Sequence, residues 1–177
     1  MPDARVFTTP AAPERLLDRV RRLLDEAFEG RFSSEDWDHA LGGWHVVVTD
    51  GEVPLAHAAV VPRVLEVGGR PLRAGYVEAV ATDPGRHGEG LGSLAMTHID
   101  RLVRREFHMG ALSTARHSFY EHLGFERWRG PTFVRRGRVV VRTEEDDDGL
   151  MVLRFGPSFG LDLTAPISCE ARPGDDW

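Results

Sequence analysis

The run Gly75-Tyr76-Val77-Glu78-Ala79-Val80-Ala81-Thr82 constrains this chain more than any other segment. One carboxylate stands among apolar neighbours, the pattern of a central strand covered on both faces. The segment Asp83-Pro84-Gly85-Arg86-His87-Gly88-Glu89-Gly90-Leu91-Gly92 follows at once. Leu91, Leu94, Ala95, Ile99, Leu102 and Val103 then recur at helical spacing. Glycines at 88, 90 and 92 let the backbone approach a ligand and turn its N–H groups toward one point. With the positive end of the following helix, those N–H groups make a site for a diphosphate. The same loop can also be no more than a tight connection from strand to helix. It is not a Walker A loop, because no Lys-Ser/Thr follows the glycines, and the unit does not open the chain as a dinucleotide fingerprint usually does.

Around this segment the periodicity predicts a helix over Glu14–Phe28, entered at Pro13 and stopped at Gly30. Ser33-Ser34-Glu35-Asp36-Trp37 reads as a capped short helix. Trp44–Thr49, the Asp50-Gly51 turn and Leu55–Val61 form a hairpin, and Val64–Val67 with Leu72–Ala74 a second strand pair about Gly68-Gly69. Met109–Leu112 is a short strand, and Ala115–Leu123 a short helix ending at Gly124. Further strands fall near Thr132–Val134, Val139–Arg142 and Leu150–Phe155. With no repeat and no long linker in 177 residues, the expectation is one mixed α/β (α+β) domain over residues 1–177.

All 22 basic residues are arginine, yet the net charge is −6. An acidic chain lacks the basic stripe that a phosphate backbone needs, so nucleic acid is excluded as a partner and a cationic small molecule favoured. Cys169 is alone, and the histidines lack ligand spacing, which leaves no disulfide and no metal; His57, His108 and His117 read as structural or exposed. No leader-like or membrane-length apolar stretch occurs, so the expected location is the cytoplasm, with no membrane partner.

The order of helix, meander, buried strand, glycine loop, helix, strand and short helix bearing Tyr120 resembles the GNAT superfamily of acyl-CoA-dependent N-acetyltransferases. Their pyrophosphate loop, Arg/Gln-x-x-Gly-x-Gly/Ala, aligns with His87-Gly88-Glu89-Gly90-Leu91-Gly92; His87 stands where Arg or Gln is usual, with Arg86 beside it. The resemblance implies a central, mostly antiparallel sheet splayed at a cofactor cleft and flanked by helices. It implies acetyl-CoA as cosubstrate without a metal, the diphosphate on residues 87–92 and the pantetheine arm on the backbone of Val80, Ala81 and Thr82. Glu78 would take a proton from the acceptor amine, the N–H near Val80 would hold the oxyanion, and Tyr120 would protonate the departing thiolate. Glu78 could otherwise face solvent, and Tyr120 could be a core aromatic beside Phe119 and Leu123.

Five blocks bring a closer likeness: Asp36-Trp37-Asp38-His39-Ala40-Leu41-Gly42-Gly43, Gly75-Tyr76-Val77-Glu78, Gly110-Ala111-Leu112-Ser113, Asp146-Asp147-Asp148-Gly149 and Gly174-Asp175-Asp176-Trp177. In this order they resemble the aminoglycoside 2'-N-acetyltransferases, enzymes of antibiotic resistance. Asp36, Glu78, Ser113, Asp148, Asp175 and Trp177 then become acceptor-side candidates. Asp36 reads equally as a helix cap, Asp148 as a turn, Asp175 as a tail residue and Ser113 as a cap, although together the carboxylates suit several ammonium groups. Arg31 stands where that family usually has an acidic residue. It either pairs with Glu29 or Glu35 or grips a substrate carboxylate, and the latter would favour a kasugamycin-type acceptor over gentamicin or tobramycin. Acetylation of another small polyamine or a peptide amine, and a non-catalytic acyl-CoA sensor, are the other readings; Glu78 and Tyr120 speak against the sensor. A homodimer is left open.

Overall fold

A computed structural model describes all residues, Met1–Trp177, and it has the mixed α/β class expected. The chain packs as two compact units, Met1–Val61 with Val77–Leu102, and Pro62–Tyr76 with Val103–Trp177. Strands β3 (Val53–Val67) and β4 (Arg70–Thr82) run through both. No helix is long and apolar enough to cross a membrane.

In the first unit, β1 (Asp3–Thr8) lies antiparallel to β2 (Trp44–Asp50), which lies antiparallel to β3, with Val47 opposite His57 and His45 opposite Ala59. The helix α1 (Glu14–Ala27) buries Val20, Leu23 and Leu24. Val20 and Leu24 join Phe32, Val47 and Ala81 in one core cluster, with Phe7, Leu16, Ala27, Trp37 and Ala79 packed around it. The end of β4 is therefore backed by apolar side chains of α1. Gly30, at φ +75°, makes the left-handed stop and sends its N–H to the Asp25 carbonyl at 2.7 Å. The next helix, α2 (Ser34–Ala40), opens on a capping box: Ser33 accepts from the Asp36 N–H, and the Asp36 carboxylate accepts from the Ser33 N–H and hydroxyl. The helix α3 (Leu91–Glu106) begins in this unit.

The second unit orders its strands β6-β9-β5-β4-β3-β10-β7-β8. Here β5 (Met109–Ser113) pairs in parallel with β4 from Ala74–Met109 to Tyr76–Ala111. On its other side β5 is antiparallel to β9 (Leu150–Arg154), which carries β6 (Glu126–Arg127). The last strand, β10 (Ile167–Glu170), is antiparallel to β3 and parallel to β7 (Thr132–Arg136), and β8 (Val139–Arg142) closes the edge. The short helix α4 (His117–His122) follows β5.

Two expectations change. Leu55–Val61 and Val64–Val67 are one strand, and so are Leu72–Ala74 and Gly75–Thr82, giving a single long hairpin. The break at Pro62 is a change of burial, continuous before it and alternating after it, so one strand shows two periodicities. Strands β1, β6 and β10 went unforeseen; each is short and weakly apolar, and long-range pairing alone holds it in place. Because Leu24 is fully buried behind β4, Leu24→Ala should lower the free energy of unfolding by about 2–5 kcal/mol in a denaturant titration.

Candidate functional site

In the first unit, β4 ends in a loop whose backbone is pre-shaped. Gly88 and Gly90 have φ of +84° and +78°, which only glycine adopts at little cost, and no atom lies within 4 Å of where a Cβ would stand. The space a side chain would occupy is open for a ligand to approach the main chain. His87 Nε2 lies 3.3 Å from the Thr82 carbonyl, which can only accept, so that nitrogen carries the proton and pins the loop to the end of β4. Arg86 and Glu89 form an ion pair at 2.6 Å, which pushes the Arg86 pKa up and that of Glu89 down. The loop therefore offers N–H groups more than a net charge, and α3 begins at Leu91 with the unpaired N–H groups of a first turn. These features fit a diphosphate.

Just upstream, Ala79 has φ +50°, a left-handed conformation that costs a residue with a Cβ about 1–2 kcal/mol. Regular alternation fails here, for Glu78, Ala79 and Val80 are all half-buried. The Ala79 carbonyl accepts from His57 Nδ1 at 2.8 Å, His57 Nε2 lies 3.0 Å from His45 Nδ1, and His45 Nε2 lies 2.9 Å from Thr9 Oγ1. Both rings are fully buried, and desolvation pushes their pKa values down to about 3 for His57 and about 4 for His45. Both are neutral at physiological pH.

In the second unit, loop 144–149, β5, α4 and the C-terminal tail meet. Ser113 sits opposite Leu150, and a Cβ on Gly149 would come within 2.7 Å of its hydroxyl oxygen. The Asp148 carbonyl lies 2.6 Å from His117 Nε2 at the start of α4, while the Asp148 side chain is exposed. Tyr120, on the same helix, is 8% exposed and edge-on to Phe119 and Phe125; burial pushes its phenol up to about 12, against the opposing pull of Arg116. The tail is braced. Arg63 donates to the Asp176 and Glu170 carbonyls at 2.6 Å each, Arg136 pairs with the Asp176 carboxylate, and Trp177 is buried with its indole N–H on Thr143 Oγ1 at 3.1 Å. Asp175 is exposed.

The structure thus gathers Ser113, Asp148, Asp175, Trp177 and Tyr120 in the second unit, and Arg31, Asp36, Glu78 and the loop 80–92 in the first. The Asp36 carboxylate is engaged in its capping box, and Arg31 pairs with Glu29 at 3.2 Å, both 78% exposed. Asp146 is an addition. Desolvation, Glu145 and then Asp175 and Asp176 raise its pKa, marking a crowded group of carboxylates, although Thr143 opposes the shift. Its signal in the sequence was only its place in a run of five acids. Thr9, His45 and Ala79 had no signal at all.

The acetyltransferase (GNAT) domain family matches residues 10–128. The chain is 44% identical to an aminoglycoside 2'-N-acetyltransferase of Mycolicibacterium fortuitum, over 98% of this chain and 91% of that protein. A GNAT family N-acetyltransferase of Escherichia coli solved with CoA superposes with a TM-score of 0.67 at 19% identity, covering 95% of this chain and 89% of that one. A GCN5-related N-acetyltransferase of Kribbella flavida gives 0.58 at 27% identity over 73% of this chain, which spans only 35% of that protein's length.

Of the three consecutive aspartates, Asp147 is structural. Arg142, first, and the Thr132 N–H and hydroxyl hold its carboxyl down at about 2, from an ordinary 3.8. This stabilisation is complete above about pH 4 and is lost as the pH falls through about 2. Asp147→Asn should lower stability at pH 7 and flatten the acid limb of a Tm-against-pH curve between those values.

Proposed function

The chain belongs to the GNAT acetyltransferase family, and on that premise we propose that it moves the acetyl group of acetyl-CoA onto the 2'-amine of an aminoglycoside. The likeness to the M. fortuitum enzyme along nearly the whole chain carries this reading. The carboxylates of the second unit support it, because Asp146, raised in pKa by burial first and then by Glu145, Asp175 and Asp176, gains when a polycation relieves the part of the shift that is repulsion.

Acetyl-CoA supplies the acetyl group as an activated thioester. The open backbone at Gly88 and Gly90 and the first turn of α3 hold the diphosphate, with Val80–Thr82 along the pantetheine arm. Glu78 takes the proton of the acceptor ammonium, directly or through water, so that a neutral amine attacks the carbonyl. The Val80 N–H donates to the carbonyl oxygen as negative charge develops on it. As the new C–N bond forms and the C–S bond breaks, Tyr120, protonated at every physiological pH, gives its phenolic proton to sulfur, and the second proton shed by the new amide nitrogen restores the phenol through water. Asp146, Asp148 and Asp175 bind ammonium groups, and Ser113 a sugar hydroxyl. Arg31 already has Glu29 as an exposed partner, which partly offsets its charge and speaks for a polyamine acceptor. A kasugamycin-type acceptor would have to displace Glu29 with its own carboxylate.

A thiol-release assay over a panel of amines tests the reading. Turnover of tobramycin or kasugamycin, with peptide amines inert, is expected; acetyl-CoA binding with no amine turned over would leave a sensor. Glu78→Gln should lower kcat/KM at pH 7 by about 10²–10⁴ and regain part of it at higher pH as the amine loses its own proton. Tyr120→Phe should lower kcat while leaving acetyl-CoA affinity unchanged by calorimetry. Asp146→Asn should raise KM for the aminoglycoside about threefold to tenfold with little change in kcat.

A further inference from the structure

We propose that His57, oriented by His45 and Thr9, is a positioning residue that holds Ala79 in its left-handed turn and so aims Glu78 and the Val80 N–H. This rests on the acetyl-transfer reading above and extends it to residues that touch neither the acetyl group nor the acceptor.

The hydrogen bonds of this chain run in one direction. A carbonyl has no proton to give, so His57 Nδ1 carries the N–H and donates it to Ala79. A neutral ring then leaves His57 Nε2 bare to accept from His45 Nδ1–H, and His45 Nε2 bare to accept from the Thr9 hydroxyl. Thr9 is set in turn by the backbone: its oxygen accepts the Gly42 N–H at 3.0 Å, and its own N–H bonds the Gly43 carbonyl at 2.9 Å. Gly43 has no room for a side chain, since a Cβ would stand 2.0 Å from the Val60 carbonyl oxygen. Four backbone segments thus converge through three side chains on one carbonyl.

Packing alone does not account for two imidazoles here. They sit diagonally across β2 and β3, where the neighbouring Val46, Val47, Ala56, Ala58 and Ala59 are apolar and fully buried. An aliphatic residue would fill the space without desolvating four ring nitrogens. The imidazoles supply a donor at the one residue of β4 whose backbone departs from the strand. That residue lies between the carboxylate that takes the amine proton and the N–H that meets the oxyanion, where a displacement of about 1 Å can cost about 10²-fold in rate.

His57→Phe keeps a ring and removes both nitrogens. We expect kcat to fall about tenfold or more, a larger change than that in KM for acetyl-CoA, because the Asp83–Leu55 and His87–Thr82 bonds hold loop 83–92 independently of His57. Adding Ala79→Gly, which takes a positive φ without a Cβ, should recover a substantial part of the lost kcat. A packing defect would not be rescued this way. Unchanged kcat in His57→Phe, or a loss that Ala79→Gly leaves in place, overturns the proposal. If His57→Phe fails to fold, ¹⁵N ring spectra of the wild type decide: both histidines should be neutral Nδ1–H tautomers, and Thr9→Val should mix the His45 tautomers and lower kcat. A His57 ring protonated on Nε2 alone, or Thr9→Val without effect on either readout, overturns it. A wild type that turns over no amine defeats the acetyl-transfer reading, a result separate from all of these.

Discussion

The bond from His57 to the Ala79 carbonyl is the constraint around which the first unit is arranged. A left-handed alanine inside a strand is unfavourable by itself and survives only where its surroundings over-determine it. Here they do so from two sides. Beyond the turn, the Asp83 N–H returns to the Leu55 carbonyl at 2.8 Å, so β4 rejoins β3 before the glycine loop begins. Behind it, Ala79 and Ala81 rest on the cluster of Val20, Leu24, Phe32 and Val47. The loop then inherits a fixed starting point, and His87 ties it back to Thr82.

The second unit is organised by arginine. A guanidinium presents several donors in a rigid plane, so one side chain can tie separate carbonyls together, as a lysine ammonium does less well. Arg63 does this for the tail while lying 4.9 Å over the Tyr76 ring, Arg135 bonds the Ser168 and Val64 carbonyls, and Arg154 forks onto Glu126. Arginine is the whole basic complement of this acidic chain, and although most of it is exposed, Arg63 is buried and Arg135 and Arg154 are half-buried where they make these ties. Asp148 and Asp175 stay exposed beside the crowded Asp146, the group on which the proposed binding of a cationic acceptor rests.

Much of this was legible in the sequence because the signals are local. Helical period in Glu14–Ala27, the Ser33 cap and the glycine loop after a buried run all depend on neighbours within a few residues. The five blocks carry the family likeness for the same reason, since each is a short run of neighbouring residues. The long hairpin of β3 and β4 was less legible because Pro62 divides two burial regimes of one strand. Asp36, Asp147 and Asp148 look alike as letters, yet one caps a helix, one braces Arg142 and one is exposed.

The sequence by itself determined the class of fold and the glycine loop between a buried strand and a helix, both of which follow from residue type and short-range order. It offered Glu78 and Tyr120 as candidates only through the family resemblance that the short blocks carry. Tertiary structure alone decided that Ala79 would be left-handed, that His45 and His57 would bond in line to its carbonyl, and that Asp146 would be the crowded acid. Those outcomes depend on which strands lie side by side. Strand pairing joins residues such as Thr9, His45, His57 and Ala79 through hydrogen bonds spanning 12 to 36 positions, a separation over which no local pattern carries information.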